Sequence, residues 1–439
     1  MRKRDGLIKW LYLGIGVKRW LVLFSLGIFA ISTGLAYAIL KMQPTFTSNH
    51  LPFGGWLHVS VVIGVGICLI SIAFRNLSRV FIAPYRPNRP GHIIDVVYTH
   101  SKRQKGVRVV AIGGGTGLPS VLRGLKAHTS NITSIVTVAD DGGSSGRLRR
   151  ELGVLPPGDL RNNIAALADD ESLMTQLFQY RFPNGDLGGH AFGNLFISAL
   201  AGVSGSVEAA LIEAGQILNI QGRVFPSTLE DVQLAAMVRL PNQKDAVLIR
   251  GESKISEANG TIEQVALLPP DVTAFQESVQ AIYDADIVVI GPGSLFTSIL
   301  PNLLIKGIAE TLSATTAYKI YVCNVATQPG ETENLDVAGH VLALEKHIGR
   351  GIFQTVLANN AYPDLNAGPN TRYVQPVPKS HEILQRYDIR YFDLTDFRQP
   401  WRHDPHKLAR AILAISHSER TGSKSANGVP AVDYSGFNV

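Results

Sequence analysis

Two long apolar stretches near the N-terminus restrict what this chain can fold into. Residues 21–40 contain no charged side chain, and residues 56–74 contain only His58 and the thiol of Cys68 as ionisable groups. A helix rises about 1.5 Å per residue, so each stretch can cross about 30 Å of hydrocarbon. We predict a two-helix transmembrane hairpin, a membrane anchor within residues 1–82, with a cleaved signal peptide as the alternative.

Basic residues flank both stretches. Fifteen Lys and Arg against two acidic residues give residues 1–108 a formal charge of +13, whereas the rest, with 26 basic and 33 acidic residues, carries −7. Because positive charge favours the cytoplasmic side, we expect a multi-pass protein of the inner (plasma) membrane with its later domain in the cytoplasm. The basic excess belongs to this leader, so no nucleic-acid partner is expected.

Composition also marks the limits of the folded domain. Residues 83–106 form a linker that begins with a Pro/Arg-rich run, and residues 418–439, rich in Ser, Gly and Asn, predict a disordered tail. The only two cysteines are Cys68, inside a predicted span, and Cys323, so no disulfide framework is expected.

Strand-like and helix-like segments alternate between residues 107 and 417. Runs rich in β-branched residues indicate buried parallel strands at 107–112, 134–139, 286–291 and 319–324. Helical patterns occupy 118–127, 160–168, 192–202, 206–218 and 295–304. The alternation predicts an α/β fold with a doubly wound, mostly parallel Rossmann-like sheet, interrupted by a β-rich insertion at about 221–268.

Two glycine-rich turns follow predicted strands. The first, "GGGTGL", comprises Gly113, Gly114, Gly115, Thr116 and Gly117 before Leu118, and it lacks both the Walker Lys and the third glycine of the dinucleotide fingerprint. The second contains Gly291, Gly293 and Ser294, with Ser294 alternatively a helix N-cap. Glycine lets backbone N–H groups approach a phosphate at a helix start. Two such turns favour a diphosphate or nucleotide between them, although either one is alternatively a tight strand–helix turn.

The stretch "ADDGGSSGRLRRELGVLPPGDLRNN" places acids, hydroxyls and arginines beside these turns. Asp140 and Asp141 lie at the end of the second predicted strand. Their carboxylates either are surface acids of a turn or bind a ribose hydroxyl or Mg²⁺. Gly142, Gly143, Ser144 and Ser145 offer backbone donors and hydroxyls. We interpret Asp159 as an N-cap and Arg161 or Asn162 as residues that reach an anion.

Other polar residues lie at predicted strand ends or helix starts. His190 and Asn194 precede a small-residue helix, where a core or capping role is the alternative. Asn324, Thr327 and Gln328 can form hydrogen bonds that recognise a base or sugar, with a polar turn as the alternative. The Tyr373 ring can stack on a base, with core packing as the alternative. Arg402 suits phosphate, or else pairs with Asp404. No Ser-His, Cys-His or Lys nucleophile pattern and no metal-ligand spacing is evident.

Five ordered motifs carry a family resemblance. "GGGTGL", "VTVADDGGSSGRLRRELGVLPPGDLRN", "GHAFGNLFISAL", "IGPGSLFTSILPNLL" and "CNVATQPGET" resemble the YvcK family of gluconeogenesis factors, related to 2-phospho-L-lactate transferase, over about 107–417. The resemblance implies a cytoplasm-facing domain that binds a uridine diphosphate sugar such as UDP-N-acetylglucosamine. It also implies a link between carbon metabolism, in gluconeogenic growth, and cell-wall synthesis and cell shape. Members are usually soluble, so the hairpin is a departure.

The related transferases define the alternative function. They use Mg²⁺ and a nucleotide diphosphate donor and share the first glycine-rich turn and the paired aspartates, but they lack "GGSSGRLRREL". We therefore favour a binding protein over a Mg²⁺-dependent transferase, with no cofactor required and Asp140 and Asp141 as the acids for any Mg²⁺. An NAD-linked oxidoreductase ranks third because of Leu118. We expect a homo-oligomer with a protein partner in cell-wall synthesis.

Overall fold

The structure, a computed structural model, describes residues 18–42, 56–82, 103–168, 173–241, 243–364 and 370–420. It divides into two compact units, Met1–Val96 and Val97–Val439, each described here by itself. Residues 83–102 of the predicted linker and residues 421–439 of the predicted tail lie outside the described residues.

The first unit contains two apolar helices, α1 (Lys18–Met42) and α2 (Trp56–Ile82). Arg19–Met42 and Trp56–Asn76 are each long and apolar enough to cross a membrane, as the sequence predicts. The hydroxyls of Thr33, Ser60 and Ser71 donate to backbone carbonyls four residues earlier, at 2.8 to 3.1 Å. These polar groups are therefore paired within the helices and need no partner in lipid.

The two helices touch through glycines. A Cβ at Gly27 would lie 2.9 Å from the carbonyl oxygen of Gly66, and a Cβ at Gly66 would lie 2.8 Å from that of Gly27. Each would also lie 2.6 Å from an isoleucine Cγ1 on the facing helix, Ile70 or Ile31 respectively. Glycine at this crossing allows the backbones to approach closely, as in other membrane helix pairs that pack through small residues.

The second unit contains ten strands in its described part. They are β1 (Val109–Gly113), β2 (Ile132–Val136), β3 (Arg223–Pro226), β4 (Gln233–Arg239), β5 (Val247–Arg250), β6 (Thr261–Leu268), β7 (Ile287–Ile290), β8 (Tyr318–Val322), β9 (Thr355–Asn359) and β10 (Asp388–Phe392). Seven form a main sheet in the order β10-β9-β8-β7-β1-β2-β3, and every neighbouring pair is parallel. The other three form a small antiparallel sheet, β5-β4-β6.

Helices connect these strands. They are α3 (Leu118–Leu125), α4 (Gly143–Leu152), α5 (Pro157–Leu167), α6 (Leu173–Gln179), α7 (Phe192–Ser204), α8 (Val207–Ile217), α9 (Glu252–Glu257), α10 (Gln276–Asp284), α11 (Leu300–Leu303), α12 (Lys306–Ala314), α13 (Val337–Ile348), α14 (Ile383–Arg386) and α15 (Pro405–Arg420), with a π-helix, Leu295–Ile299, before α11. The β-branched strands are buried along their whole length, as β1, β2 and β7 illustrate. The predicted doubly wound α/β fold is confirmed.

The strand order reverses beside β1. β2 and β3 lie on one side of it, and β7 to β10 lie on the other. In open α/β sheets, ligands bind outside the carboxyl ends of the strands at such a reversal. The chain segments that follow β1 and β7 are therefore the first place to look for a site.

Some boundaries differ from the prediction. β2 ends at Val136, before the predicted end at residue 139, whereas Val138 and Ala139 stay buried, so the apolar pattern extends beyond the strand. β3 belongs to the main sheet, and the separate sheet of the insertion starts only at β4. Residues 418–420 continue α15 instead of starting a tail.

We predict that Gly27→Leu separates α1 from α2, because no space exists between its Cβ and the facing helix. Spin labels on the two helices of the full chain in lipid should report a longer and broader distance. Gly64→Leu is the matched control, since a Cβ there meets no atom within 4 Å. An unchanged distance distribution in Gly27→Leu would contradict the glycine contact.

Candidate functional site

The two glycine-rich turns pack against each other at the carboxyl ends of β1 and β7. A Cβ at Gly117 would lie 2.5 Å from the Pro292 carbonyl oxygen, and a Cβ at Gly293 would lie 3.2 Å from that of Gly114. A Cβ at Gly113 would be 3.8 Å from the Gly291 Cα. Glycine is therefore required at Gly117 for the close backbone contact between the turns, and Gly293 is tightly packed against the first turn.

Asp159 holds the first turn. The N–H of Gly115, a residue at φ +62°, donates to Asp159 Oδ2 at 2.7 Å. A Cβ at Gly114 would lie 2.6 Å from the same oxygen. The prediction of Asp159 as an N-cap is wrong: α5 begins two residues earlier, and Pro156 is its N-cap. Thr116, at the tip of the turn, is exposed.

Asn324 holds the second turn. Its Oδ1 accepts the Gly293 N–H at 3.1 Å, and its Nδ2 donates to the Gly293 carbonyl at 2.8 Å. The Ser294 hydroxyl makes no cap for the following helix and instead bonds to Thr297 and Glu331. Asn324, expected to read a base or sugar, thus has a defined structural role in the turn.

The helix after this turn starts as a π-helix. Asn302, just beyond it, donates from Nδ2 to the Gly113 carbonyl at 3.0 Å and to the Ser298 carbonyl at 2.7 Å. The Ser298 Oγ lies 3.1 Å from where a Cβ on Gly115 would be. The wider π-turn therefore places both polar side chains against the first glycine-rich turn.

Asp140 and Asp141 lie in the loop between β2 and α4, at the same edge of the sheet. Asp140 accepts the Gly142 N–H at 2.9 Å and is also bonded by Ser145. Asp141 Oδ1 accepts the N–H and the hydroxyl of Ser253, at 3.0 and 2.8 Å. Asp141 therefore connects this loop to α9, which belongs to the small-sheet insertion.

Three more carboxyl groups belong to this cluster: Asp159 and Glu252 interact with Asp140, and Glu331 interacts with Glu252. Burial, with repulsion from Asp140, raises the pKa of Asp159 to about 6 and that of Glu252 to about 8. Burial also raises the pKa of Asp140 and of Glu331. Glu252 begins α9 and Glu331 follows β8, so only the tertiary fold brings these two acids together, and no spacing pattern in the sequence predicts them.

These carboxyl groups do not form a complete metal site. Across the described residues, no group of three or more His, Cys, Asp or Glu side chains is placed to hold a metal ion. Mg²⁺ is often held by one or two carboxylates together with substrate phosphates. Asp140 and Asp141 fit Mg²⁺ only in that form, as partners of an ion that arrives with a phosphate.

Ser144, His190 and Asn194 form a buried hydrogen-bonded group. Ser144 Oγ lies 3.0 Å from His190 Nδ1 and accepts from Asn194 Nδ2 at 3.0 Å. The two residues are 46 positions apart, so no local pattern in the sequence predicts this Ser-His contact. Burial lowers the pKa of His190, which keeps the ring neutral near pH 7.

Arg161 and Asn162 lie on the other side of Asp159. Arg161 Nη2 donates to Asn162 Oδ1 at 2.6 Å, and Asn162 in turn hydrogen-bonds Asp159. Burial lowers the pKa of the Arg161 guanidinium, with repulsion from Arg181 as a further cause. A continuous network therefore runs from the first glycine-rich turn to this arginine.

The remaining predicted residues divide into two groups. Thr327 and Tyr373 lie in segments that pair with each other, since Thr327 N–H donates to Arg372 O, and Gln328 lies 3.3 Å from the Asn324 amide. Tyr373 donates to Pro363 O. Arg402 lies in a turn closed by a bridge between residues 395 and 403, and within the described residues its guanidinium makes no hydrogen bond or ion pair, including with Asp404.

A cavity of about 460 Å³ lies next to the second turn. Phe296 of the π-helix, Ile262 of β6 and Leu335 form apolar walls, and Glu331 lines it as well. Glu331 therefore contacts both this cavity and Ser294, so the cavity borders the site without containing the glycine-rich turns.

We predict that Glu252→Gln stabilises the chain at high pH. The folded pKa of about 8 exceeds the unfolded value, so the folded state binds more protons between the two and loses stability as pH rises through this interval. The gain in unfolding free energy over wild type should grow by a few kcal/mol from pH 5 to 9, at about 1.4 kcal/mol per pKa unit. Denaturant titrations at both pH values measure it.

Glu257→Gln is the control, because Glu257 is exposed on the same helix. Parallel pH profiles for the two variants would show that Glu252 is not a buried acid.

Comparisons with known proteins agree with this architecture. The family model described as 2-phospho-L-lactate transferase CofD matches residues 109–392. The gluconeogenesis factor of Bacillus subtilis is 43% identical over 314 residues, 70% of this chain and 98% of the relative. A crystal structure of a UPF0052 family protein from Bacillus halodurans superposes with TM-score 0.66 at 40% identity, over 70% of this chain and 99% of that one.

A relative from Nostoc sp. is 41% identical over 430 residues, 92% of this chain and 91% of its own length. Because residues 107–439 are only about three quarters of the chain, that match extends into the N-terminal region. The resemblance read from the five motifs is confirmed: the chain belongs to the CofD family and, within it, groups with the gluconeogenesis factors.

Proposed function

We propose that this chain is a membrane-tethered regulatory protein that binds a nucleotide sugar of the UDP-N-acetylglucosamine kind. The observation that carries the proposal is the meeting of two glycine-rich turns at the strand-order reversal, beside the uncapped start of α4. We further propose that the chain connects gluconeogenic growth with cell-wall synthesis and cell shape; the name given to its relatives, gluconeogenesis factor, supports the gluconeogenic part of this role.

Backbone groups are the proposed diphosphate ligands. α4 starts after Gly142 with no side-chain cap, so its first N–H groups and its dipole are available to an anion. Thr116 is exposed at the tip of the adjacent turn. On the β8 side, Thr327, Gln328 and Tyr373 are the proposed contacts for base or sugar. Asp140 and Asp141 would bind ribose hydroxyls or a phosphate-bound Mg²⁺.

A Mg²⁺-dependent transferase of the 2-phospho-L-lactate type is the second candidate. The family model match supports it, and so does Asp159, because a carboxyl with a pKa of about 6 suits proton transfer near neutral pH. The Ser144–His190 contact adds little support for a transferase, because both side chains are buried and the hydroxyl also accepts a hydrogen bond from Asn194.

Binding without turnover is the first test. Calorimetry of the full chain in detergent with UDP-N-acetylglucosamine should give a binding heat, and prolonged incubation with Mg²⁺ should leave the nucleotide sugar intact. Release of uridine nucleotide in proportion to active protein would identify a transferase. No heat with any nucleotide sugar would eliminate the binding proposal.

Gly115→Val should weaken this binding at least tenfold. The residue has φ +62°, which is strained for any L side chain, and its Cβ would lie 3.1 Å from Ser298 Oγ. Gly202→Val is the control, because Gly202 is exposed and a Cβ there meets no atom within 4 Å. Equal affinities of the two variants for the nucleotide sugar would show that the first glycine-rich turn does not take part in binding.

The anchor is proposed to place both chain ends in the cytoplasm. Six Lys and Arg precede the first span, Arg75, Arg79, Arg86 and Arg89 follow the second, and Lys41 is the single basic residue between them. A reporter fused after Val439 should report a cytoplasmic location. A periplasmic signal from the same fusion would contradict the proposed cytoplasmic location of the C-terminus.

A further inference from the structure

The segment that joins β5 to β6 covers Asp141. Asp141 Oδ1 accepts both the N–H and the hydroxyl of Ser253, at 3.0 and 2.8 Å. A Cβ on Gly251, a residue at φ +102°, would overlap Asp141 Oδ2. Because Ser253 binds one carboxylate oxygen and the Gly251 backbone packs against the other, a ligand that binds Asp141 has to compete with this segment.

The bonds to Asp141 are the main polar attachment of α9. Within the described residues, side chains of α9 make two hydrogen bonds to other segments, one from Ser253 to Asp141 and one from Ser256 to Glu331. The second joins Ser256 Oγ and Glu331 Oε1 at 3.5 Å, which is longer than the usual range for a hydroxyl donor. Loss of the Ser253 bonds would therefore free the first turn of α9 from its strongest polar contact.

The carboxyl group of Glu252 opposes this attachment. It precedes Ser253 in the first turn of α9, and the carboxyl groups of Asp140, Asp141 and Glu331 all interact with it. In this position Glu252 either carries a charge among like charges or gives up its charge by binding a proton, and both cost free energy. The attached position of α9 is therefore less stable than its hydrogen bonds alone would make it.

The segment also has room to move. Gly260, just after α9, lines the cavity of about 460 Å³ opposite Phe296, so this end of the segment is not closely packed. Gly251 and Asn259, on either side of α9, have φ of +102° and +48°, and Ile255 between them is fully buried. Residues at the ends of an element can absorb the backbone rotation of a hinge. The first turn of α9 can therefore leave Asp141 while Ile255 keeps the helix attached.

We propose that the first turn of α9 is an autoinhibitory latch on the nucleotide site, in which Ser253 occupies Asp141 until a ribose hydroxyl or a phosphate-bound Mg²⁺ takes its place. The inference rests on the proposed function, because Asp141 is one of the proposed ligand contacts. A ligand that has to displace the latch binds more weakly than it would to the open site. Ser253 therefore lowers the affinity for the ligand, although it lies beside the site.

Ser253→Ala tests the latch by removing the hydroxyl bond to Asp141 while keeping the backbone bond. The full chain in detergent with Mg²⁺ should bind UDP-N-acetylglucosamine about threefold or more tightly than wild type, measured by calorimetry. Lys254→Ala is the matched control, because Lys254 is the next residue of α9 and is exposed. Its affinity for the same nucleotide sugar should equal that of wild type.

Amide hydrogen exchange of the wild-type chain tests the latch without any variant. Adding UDP-N-acetylglucosamine should speed the exchange of residues 252–257, because the bound ligand releases α9. Weaker or unchanged affinity in Ser253→Ala, or slower or unchanged exchange of α9 in liganded wild type, would overturn the latch and leave nucleotide-sugar binding in place. Failure of wild type and both variants to bind any nucleotide sugar would overturn the proposed function itself, and the latch with it.

Discussion

The hydrogen bond from the Gly115 N–H to the buried Asp159 carboxylate joins the parts of this site. Gly115 follows β1 and Asp159 lies in the first turn of α5, so the bond fixes a left-handed turn and a helix relative to each other. Asn162 extends the network to Arg161. Because a buried carboxylate without donors would be costly, the turn, the acid and the cation depend on one another.

The sequence predicts the frame of this site well, for physical reasons. β1, β7 and β8 are short runs rich in β-branched residues, and such runs are typical of strands that are buried on both faces of a parallel sheet. The glycine-rich turns directly follow β1 and β7 in the sequence, so predicting these strands also predicts that the turns lie at the strand ends. The end of β2 was placed too late, because Val138 and Ala139 are buried by packing after the hydrogen-bonded ladder has stopped.

The parts that escaped prediction are contacts between distant segments. Glu252 arrives on α9 from the small sheet, and Glu331 arrives from the loop after β8, so neither has a local signature. Ser144 and His190 meet only because α4 packs beside the segment before α7. The predicted capping role of Asp159 requires a helix that begins at residue 160, whereas α5 begins at Pro157. Buried like charges oppose stability, and so does Arg161, whose buried Nε and Nη1 have no hydrogen-bond partner. Such local conflicts are expected where a protein keeps a binding function.

The π-helix after the second glycine-rich turn has a consequence for how this segment can vary. A π-turn holds one more residue than an α-turn, and each residue of an α-helix rotates the chain by about 100°. Removing one residue from 295–299 would turn Asn302 away from the Gly113 carbonyl by about that angle, whatever residue was removed. The number of residues in this segment is therefore more constrained than their identity, and insertions or deletions there should be tolerated less than substitutions.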